Sequence, residues 1–129
     1  MFEKYNDKPA AICLGIYLLG AIFYVFQLLF MTEEWLANEL IGPEAIGVAR
    51  VLGFAYLGFI VGLIMTYKNG PDGHRVFFIS LLVAQIGTFL NLWHQHLLLG
   101  VATSLDDAII VSVLTALLLF GYIRIKSRL

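Results

Sequence analysis

The feature that most constrains this chain is a set of four long apolar runs that contain no charged side chain. Asp, Glu, Lys and Arg are all absent from residues 9–31, 51–67, 76–100 and 108–123. A helix of about 20 apolar residues crosses the hydrocarbon core of a bilayer with all its backbone groups hydrogen bonded. The sequence therefore predicts an all-α integral membrane protein that folds as a four-helix bundle.

Length and composition predict a single domain. Hydrophobic residues make up 60% of the 129 residues, above the range typical of soluble proteins. We expect one transmembrane domain over residues 1–129, with spans at about 9–31, 44–67, 76–100 and 105–124. The first span is expected to be retained and to serve as the insertion signal. The single cysteine, Cys13, excludes an intrachain disulfide.

The charges between the apolar runs are sorted by side. Seven of the eight basic residues flank one side of the four runs: Lys4, Lys8, Lys68, Arg75, Arg124, Lys126 and Arg128. The opposite side has Arg50 as its only basic residue and carries six acids: Glu33, Glu34, Glu39, Glu44, Asp106 and Asp107. The positive-inside rule makes the basic side cytoplasmic. The sequence predicts a multi-pass protein with both termini in the cytoplasm.

The connections between the spans carry helix and turn signals. Residues 32–41 predict a short amphipathic segment on the outer side, which Thr32 could cap and which Gly42–Pro43 would end. Ser104 and Asp107 have the spacing of a capping box for the fourth span. The glycine- and proline-containing turn at 68–75 predicts that the second and third spans are antiparallel neighbours.

Polar side chains within or next to the spans lie mainly in the predicted outer half, whereas the inner half is expected to be almost entirely apolar. A buried polar group in lipid is costly, and it is a candidate for function. We expect an outer cluster that acts as a ligand site or as an ion-pair network, formed by Glu44, Arg50, Asn91, His94, His96, Asp106 and Asp107.

His94 and His96 are two residues apart and diverge by about 200° on a helix, so both cannot bind one ion. A metal or haem site would need one of them together with ligands from other helices, such as Asp106 or Glu44. A proton-handling or quinone-contacting role is another interpretation. The simplest is that both histidines are solvated at the headgroups or bonded to neighbours.

Arg50 has two interpretations of its own. Its guanidinium cannot be neutralised, and it could pair with a carboxylate from Glu39, Glu44, Asp106 or Asp107. It could instead hold a lipid phosphate or another anionic ligand in a fork geometry. The ion pair is the favoured prediction because four carboxylates are expected near its depth.

Glycines mark possible sites of close helix packing. Gly53, Gly58 and Gly62 lie along the second span, and the last two form a GxxxG motif. Small residues let helix backbones approach closely, either within one chain or between chains. The motif does not distinguish those two cases.

The layout of the chain and residues 49–58, in which Arg50 precedes Gly53 by three positions, carry a family likeness. The chain resembles small four-helix membrane proteins of the DoxX-like and DUF4345-like type. The resemblance implies a small bundle that accompanies a larger membrane system. The outer His94 and His96 and the acidic first loop depart from that pattern, so only Arg50 could be carried over as a functional residue.

The function predicted from these features is a small non-catalytic membrane protein, either an accessory subunit of a larger complex or a homo-oligomer. The alternative is a small membrane redox unit that binds a quinone or a metal through the outer His, Arg and Asp residues. Membrane lipids and other membrane subunits or a second copy are the expected partners, with no nucleic acid. No cofactor is required by the sequence, although a lipid, a quinone or a single metal could fit the outer cluster.

Overall fold

The computed structural model describes residues 2–129, and this part of the chain is built from helices without β-strands. Five α-helices follow one another: α1 (Lys8–Phe30), α2 (Thr32–Asn38), α3 (Ile46–Asn69), α4 (Arg75–Leu97) and α5 (Ser104–Ile125). Short 3-10 turns occupy Phe2–Tyr5, Pro43–Ala45 and Lys126–Arg128. The α2 helix is the predicted amphipathic segment, and the other four helices are long and apolar enough to cross a membrane.

Local sequence signals explain several helix boundaries. Asp7 caps α1, because its carboxylate accepts a hydrogen bond from the backbone N–H of Ala10 at 3.0 Å. Pro43 begins the 3-10 turn that leads into α3, at a position where a missing N–H costs nothing. Gly70 follows α3 with a φ of 94°, and Gly100 lies beyond α4 with a φ of 67°. Both conformations favour glycine, and they turn the chain away from the helix.

Two predicted caps are wrong. Thr32 is the first residue of α2, and its hydroxyl donates to the carbonyl of Leu28 at 2.5 Å. The hydroxyl of Ser104 likewise donates to the carbonyl of Val101 at 2.7 Å, and the residue before α5 makes no side-chain cap. Each hydroxyl is held by the preceding turn of the chain, and it is therefore not directed at the N–H groups ahead of it.

α1 lies at the centre of the helix packing. It packs along both α3 and α5, and α4 packs along α5. The α3 and α4 helices meet mainly through long side chains, for example a 2.7 Å hydrogen bond between the hydroxyls of Tyr56 and Thr88. These two helices, which are predicted to be neighbours, are thus connected by side chains. Their backbones are less closely packed than those of α1 and α3.

The helix packing has two ends, which differ in what they contain. The terminal end comprises residues 2–8, the turn at 70–74 and residues 124–129; the distal end comprises residues 31–50 and 91–107. The main apolar core runs from the terminal end to the middle of the helices and includes Leu14, Leu63, Phe78 and Leu118. A smaller core at the distal end contains Leu28, Leu36 and Ala49 and fixes α2 against α1 and α3.

Candidate functional site

The outer cluster predicted from the sequence is spread over separate surfaces of the distal end. Asn91 and His94 are exposed on α4, Asp106 is exposed at the start of α5, and Glu44 is exposed before α3. Within residues 2–129, no hydrogen bond or ion pair joins any of these side chains to another or to Arg50. These four side chains are therefore exposed at separate places on the distal end and do not form one site.

Arg50 does not form the predicted ion pair. The two ion pairs in residues 2–129 join Arg124 to Asp7 and Arg128 to Asp72. Arg50 is exposed and lines a groove between α1 and α3. The expected carboxylate partners are directed elsewhere; the carboxylate of Glu44, for example, folds back against Gly42.

The two histidines point in different directions, as their spacing predicts. The ring of His96 packs edge-on against Trp93, with 6.0 Å between the ring centroids, and its Nδ1 lies 3.4 Å from the carbonyl oxygen of Val101. Trp93 in turn donates its indole N–H to Ser112 of α5 at 2.8 Å. His96 is therefore part of a local contact between α4 and α5, whereas His94 faces outward.

Two acids at the distal end do approach each other. Glu39, which follows α2, lies beside Asp107 in the first turn of α5. Partial burial, together with the neighbouring carboxylate, raises the pKa of Glu39 to about 7. The proximity of the two side chains thus favours the protonated form of Glu39, and this contact joins α2 to α5.

The described chain, from Phe2 to Leu129, contains no group of three or more His, Cys, Asp or Glu side chains that could hold a metal ion. The metal, haem and quinone interpretations of the outer residues therefore gain no geometric support from side chains gathered at one point. They stay predictions from the sequence.

A polar chain that sequence reasoning did not assemble crosses the middle of the helices. The hydroxyl of Tyr17 in α1 donates to Gln85 of α4 at 3.1 Å, and the Gln85 amide donates to Thr115 of α5 at 3.1 Å. All three side chains are buried. The three residues lie near the midpoints of their helices. The prediction that placed the polar side chains mainly in the outer half did not include the tyrosine and threonine hydroxyls.

The terminal end is also more polar than predicted. The hydroxyl of Tyr5 is hydrogen bonded to Thr66, and the hydroxyl of Tyr67 donates to the carbonyl of Ala11 at 2.5 Å. Arg128 donates to the carboxylate of Asp72 at 2.8 Å and also to the backbone carbonyl of Tyr5. These bonds tie the N-terminal turn, the 70–74 turn and the C-terminus together.

An apolar groove opens between α1 and α3 in their distal halves. Its volume is about 480 Å³, within the range of about 300–1,000 Å³ that is common for small-molecule sites. The walls are aliphatic and aromatic except for one charged side chain, and they comprise Ile22, Val25, Phe26, Leu29, Phe30, Arg50, Phe54, Leu57 and Ile60. The groove therefore has a single positive charge at its distal end and apolar walls along the rest of its length.

The three glycines predicted for helix packing have different surroundings. A Cβ added at Gly53 would lie 2.7 Å from the Leu29 side chain of α1, and one at Gly62 would collide with the Phe77 ring of α4. A Cβ at Gly58 would meet no heavy atom within 4 Å. Two of the glycines thus lie at contacts within the chain, whereas Gly58 lies on the outward face of α3.

Comparison with protein-family models, with curated proteins and with solved structures gives no match to this chain. The likeness to DoxX-like and DUF4345-like proteins therefore remains a prediction from the sequence.

Proposed function

We propose that the protein is a non-catalytic integral membrane subunit that works by packing against other helices, in a larger membrane complex or in a homo-oligomer. In this proposal the four long helices form a membrane-spanning bundle, and both termini are cytoplasmic. The observation that carries the proposal is the outward face of α3, where an exposed row contains two glycines, one alanine and one valine.

That face is a row at helical spacing. Gly47, Val51, Ala55 and Gly58 follow one another at intervals of four, four and three residues, and all four are exposed. A Cβ at either glycine would meet no heavy atom within 4 Å. Rows rich in small residues let another helix approach the backbone closely, and this close packing is one of the contributions that drive helix association in lipid.

The hydrogen bonding of the internal polar side chains supports a structural role. Hydrogen bonds among Tyr17, Gln85 and Thr115 connect α1, α4 and α5. The hydrogen bond between Tyr56 and Thr88 connects α3 to α4. Every buried side-chain nitrogen and oxygen in residues 2–129 has a hydrogen-bond partner. These groups stabilise the fold, because they are hydrogen bonded to one another or to the backbone.

The charge distribution supports the orientation. The terminal end, together with Lys68 and Arg75 on either side of its 70–74 turn, contains seven of the eight Lys and Arg residues. Short basic segments are retained on the cytoplasmic side of a membrane. The exposed apolar side chains along the helices, such as Phe23, Phe54 and Val83, are suited to contact with lipid.

Orientation is tested by cysteine labelling in a Cys13→Ser background. Glu33→Cys and Ser127→Cys place one exposed thiol at the distal and the terminal end, respectively. A membrane-impermeant maleimide added to intact cells should label the first and not the second. Labelling of Ser127→Cys, or equal labelling of both, contradicts the proposed topology.

Association is tested by Gly58→Leu against the matched variant Gly87→Leu. Both glycines are exposed in the middle part of a long helix with open space around them, so neither substitution should disturb the fold. In mild detergent, native mass spectrometry should show the wild type in an assembly that Gly58→Leu weakens at least tenfold and Gly87→Leu preserves. A wild type extracted only as a single chain, or equal effects of the two variants, would overturn the α3 interface.

A further inference from the structure

The groove between α1 and α3 combines a cation without a carboxylate partner and an apolar channel. Arg50 lies at its distal end, and Ile60, ten residues further along α3, lies at its other end. Ten residues of helix cover about 15 Å. This is about half of the 30 Å hydrocarbon thickness of a bilayer, so the groove has the length of one leaflet.

The charge of Arg50 is not balanced within the described chain. Neither ion pair of residues 2–129 includes Arg50, and Glu39 is engaged with Asp107. A guanidinium stays protonated at every physiological pH, and it binds phosphate through parallel N–H···O bonds. An anion supplied from outside the chain therefore satisfies this side chain.

From these observations we infer that the α1–α3 groove binds a glycerophospholipid of the outer leaflet, with its phosphate on Arg50 and one acyl chain along Phe26, Leu57 and Ile60. The inference rests on the membrane insertion and orientation proposed above, but not on the proposed α3 interface. It assigns the groove to one occupant because a phospholipid supplies both the anion and the hydrocarbon that the two parts of the groove require.

A transmembrane helix fits the same groove less well. The backbone of a helix offers no anion at mid-length, because its carbonyls are already hydrogen bonded. Seating a helix over Arg50 would leave the cation without a counter-charge in an apolar contact. A phospholipid avoids this, since its headgroup remains at the level of Arg50.

The test compares two lipids with the same acyl chains, dioleoyl phosphatidylglycerol and dioleoylglycerol, only the first of which contains phosphate. The purified full-length protein is delipidated in mild detergent, each lipid is added, and native mass spectrometry counts the lipid molecules retained per chain. The wild type should retain phosphatidylglycerol at least tenfold more strongly than dioleoylglycerol. Equal retention of the two lipids would overturn the assignment of phosphate to Arg50.

Three variants separate the headgroup contact from the acyl-chain contact. Arg50→Gln should remove the preference for phosphatidylglycerol, and Arg50→Lys should keep part of it, because a charge remains without the fork geometry. Ile22→Trp, which adds bulk to the groove wall from an exposed position, should weaken both lipids. Arg75→Gln removes an exposed arginine at the start of α4 and should leave retention unchanged.

Unchanged retention in Arg50→Gln or in Ile22→Trp would overturn the groove as the binding site. So would a second chain retained in place of lipid and lost in Ile22→Trp. A failure of the proposed membrane topology is recognised separately, because it changes the cysteine-labelling pattern and not the comparison of the two lipids in detergent.

Discussion

The two ends of the helix assembly are both rich in charged side chains, but they use them differently. At the terminal end, Arg124 and Arg128 are paired with Asp7 and Asp72. At the distal end, Arg50 has no carboxylate partner within residues 2–129, and Glu39 and Asp107 are two acids in contact. Opposite charges that meet favour each other's charged form, whereas an unpaired charge such as that of Arg50 is available for an external partner.

The difference has a topological cause. The terminal end brings together segments that are distant in sequence, since Arg128 contacts residues of the N-terminal turn and of the 70–74 turn. At the distal end, the backbone hydrogen bonds of the α2 region and of the segment 98–103 join residues at most six positions apart. Long-range contacts therefore fix the terminal end more tightly than the distal end.

The largest effect is expected from filling a glycine contact on the terminal side. In the α1–α5 contact, a Cβ at Gly121 would lie 2.6 Å from Leu14, so Gly121→Leu should overpack the buried core and destabilise the protein by about 3 kcal/mol. The control Gly87→Leu adds the same side chain in open space on α4, outside the proposed α3 interface. Denaturant titration in detergent should show little or no loss for Gly87→Leu; similar losses for both variants would contradict tight packing on the terminal side.

Removing one arginine from each end should produce the next largest difference. Arg128→Ala breaks its bonds to the carbonyls of Tyr5 and Lys4 and should cost about 1 kcal/mol, because hydrogen bonds from charged donors are worth more than neutral ones even when partly exposed. Arg50→Ala should leave the free energy of unfolding in detergent nearly unchanged. A loss for Arg50→Ala equal to that of Arg128→Ala would indicate a partner within the chain for Arg50.

The acid contact at the distal end predicts a pH effect of a specific sign. The pKa of Glu39 is raised from 4.5 to about 7, so the folded state holds a proton that the unfolded state has lost over this interval. Stability contributed by the protonated contact is present below pH 4.5 and is lost as the pH rises through 7. Glu39→Gln should therefore match the wild type at pH 4.5 and exceed it at pH 8 by roughly 1 kcal/mol or less, since the site is partly solvated.

Measurements of unfolding at several pH values show whether the predicted sign of this pH effect is wrong. Unfolding is followed at pH 4.5, 6 and 8 for the wild type, Glu39→Gln and Glu34→Gln, the last being an exposed glutamate on α2 that serves as the control. A wild type that is more stable than Glu39→Gln at pH 8 would show that the carboxylate has a favourable partner when it is charged.

The smallest effect is expected at the ion pair between Asp7 and Arg124. The Arg124 side chain and the capped N-terminus of α1 lower the pKa of Asp7 below its ordinary 3.8. Its contribution is present above that value and is lost as the pH falls through the lower folded pKa. Asp7→Asn keeps a capping oxygen for the Ala10 N–H but removes the charge. The free energy of unfolding of Asp7→Asn should therefore fall slightly less than that of the wild type as the pH is lowered.

Hydrogen exchange locates this last effect. At pH 3, the protection factors of the amides in the first turn of α1, which correct for the intrinsic pH dependence of exchange, should be lower than at pH 6 in the wild type. The change should be smaller in Asp7→Asn. Lys8→Gln provides the control, because Lys8 is exposed beside the same cap. An Asp7→Asn variant with the wild-type pH dependence would exclude a contribution from the ion pair.

The positions of the long helices follow from the sequence because each apolar run must satisfy its own backbone. The predicted spans at 9–31 and 76–100 correspond to helices Lys8–Phe30 and Arg75–Leu97. The second boundary differs because Leu98 and Leu99 continue the apolar run, while the chain has already left the helix before Gly100. Hydrophobicity identifies a helix, but turn residues and backbone conformation decide where it ends.

The candidate site was less predictable for a related reason. Gln85 was recognisable as a polar residue in an apolar run, but its partner Tyr17 lies 68 residues away in the sequence. Arg50 was also recognisable, yet the groove beside it depends on how α1 packs against α3. Helical spacing states which residues share a face, and it does not state which neighbouring helix that face meets.

The sequence by itself determined four long apolar helices, the short amphipathic helix between the first two of them, and the sorting of charge between the two ends. These properties depend on local composition and on helix geometry, both of which are encoded in consecutive residues. Only the tertiary structure decided that α1 is central and that Gly58 faces outward. It also decided that Arg128 pairs with Asp72, whereas Arg50 has no carboxylate partner within residues 2–129. Those outcomes depend on the rotation and neighbours of each helix, which are set by side chains that meet across the fold.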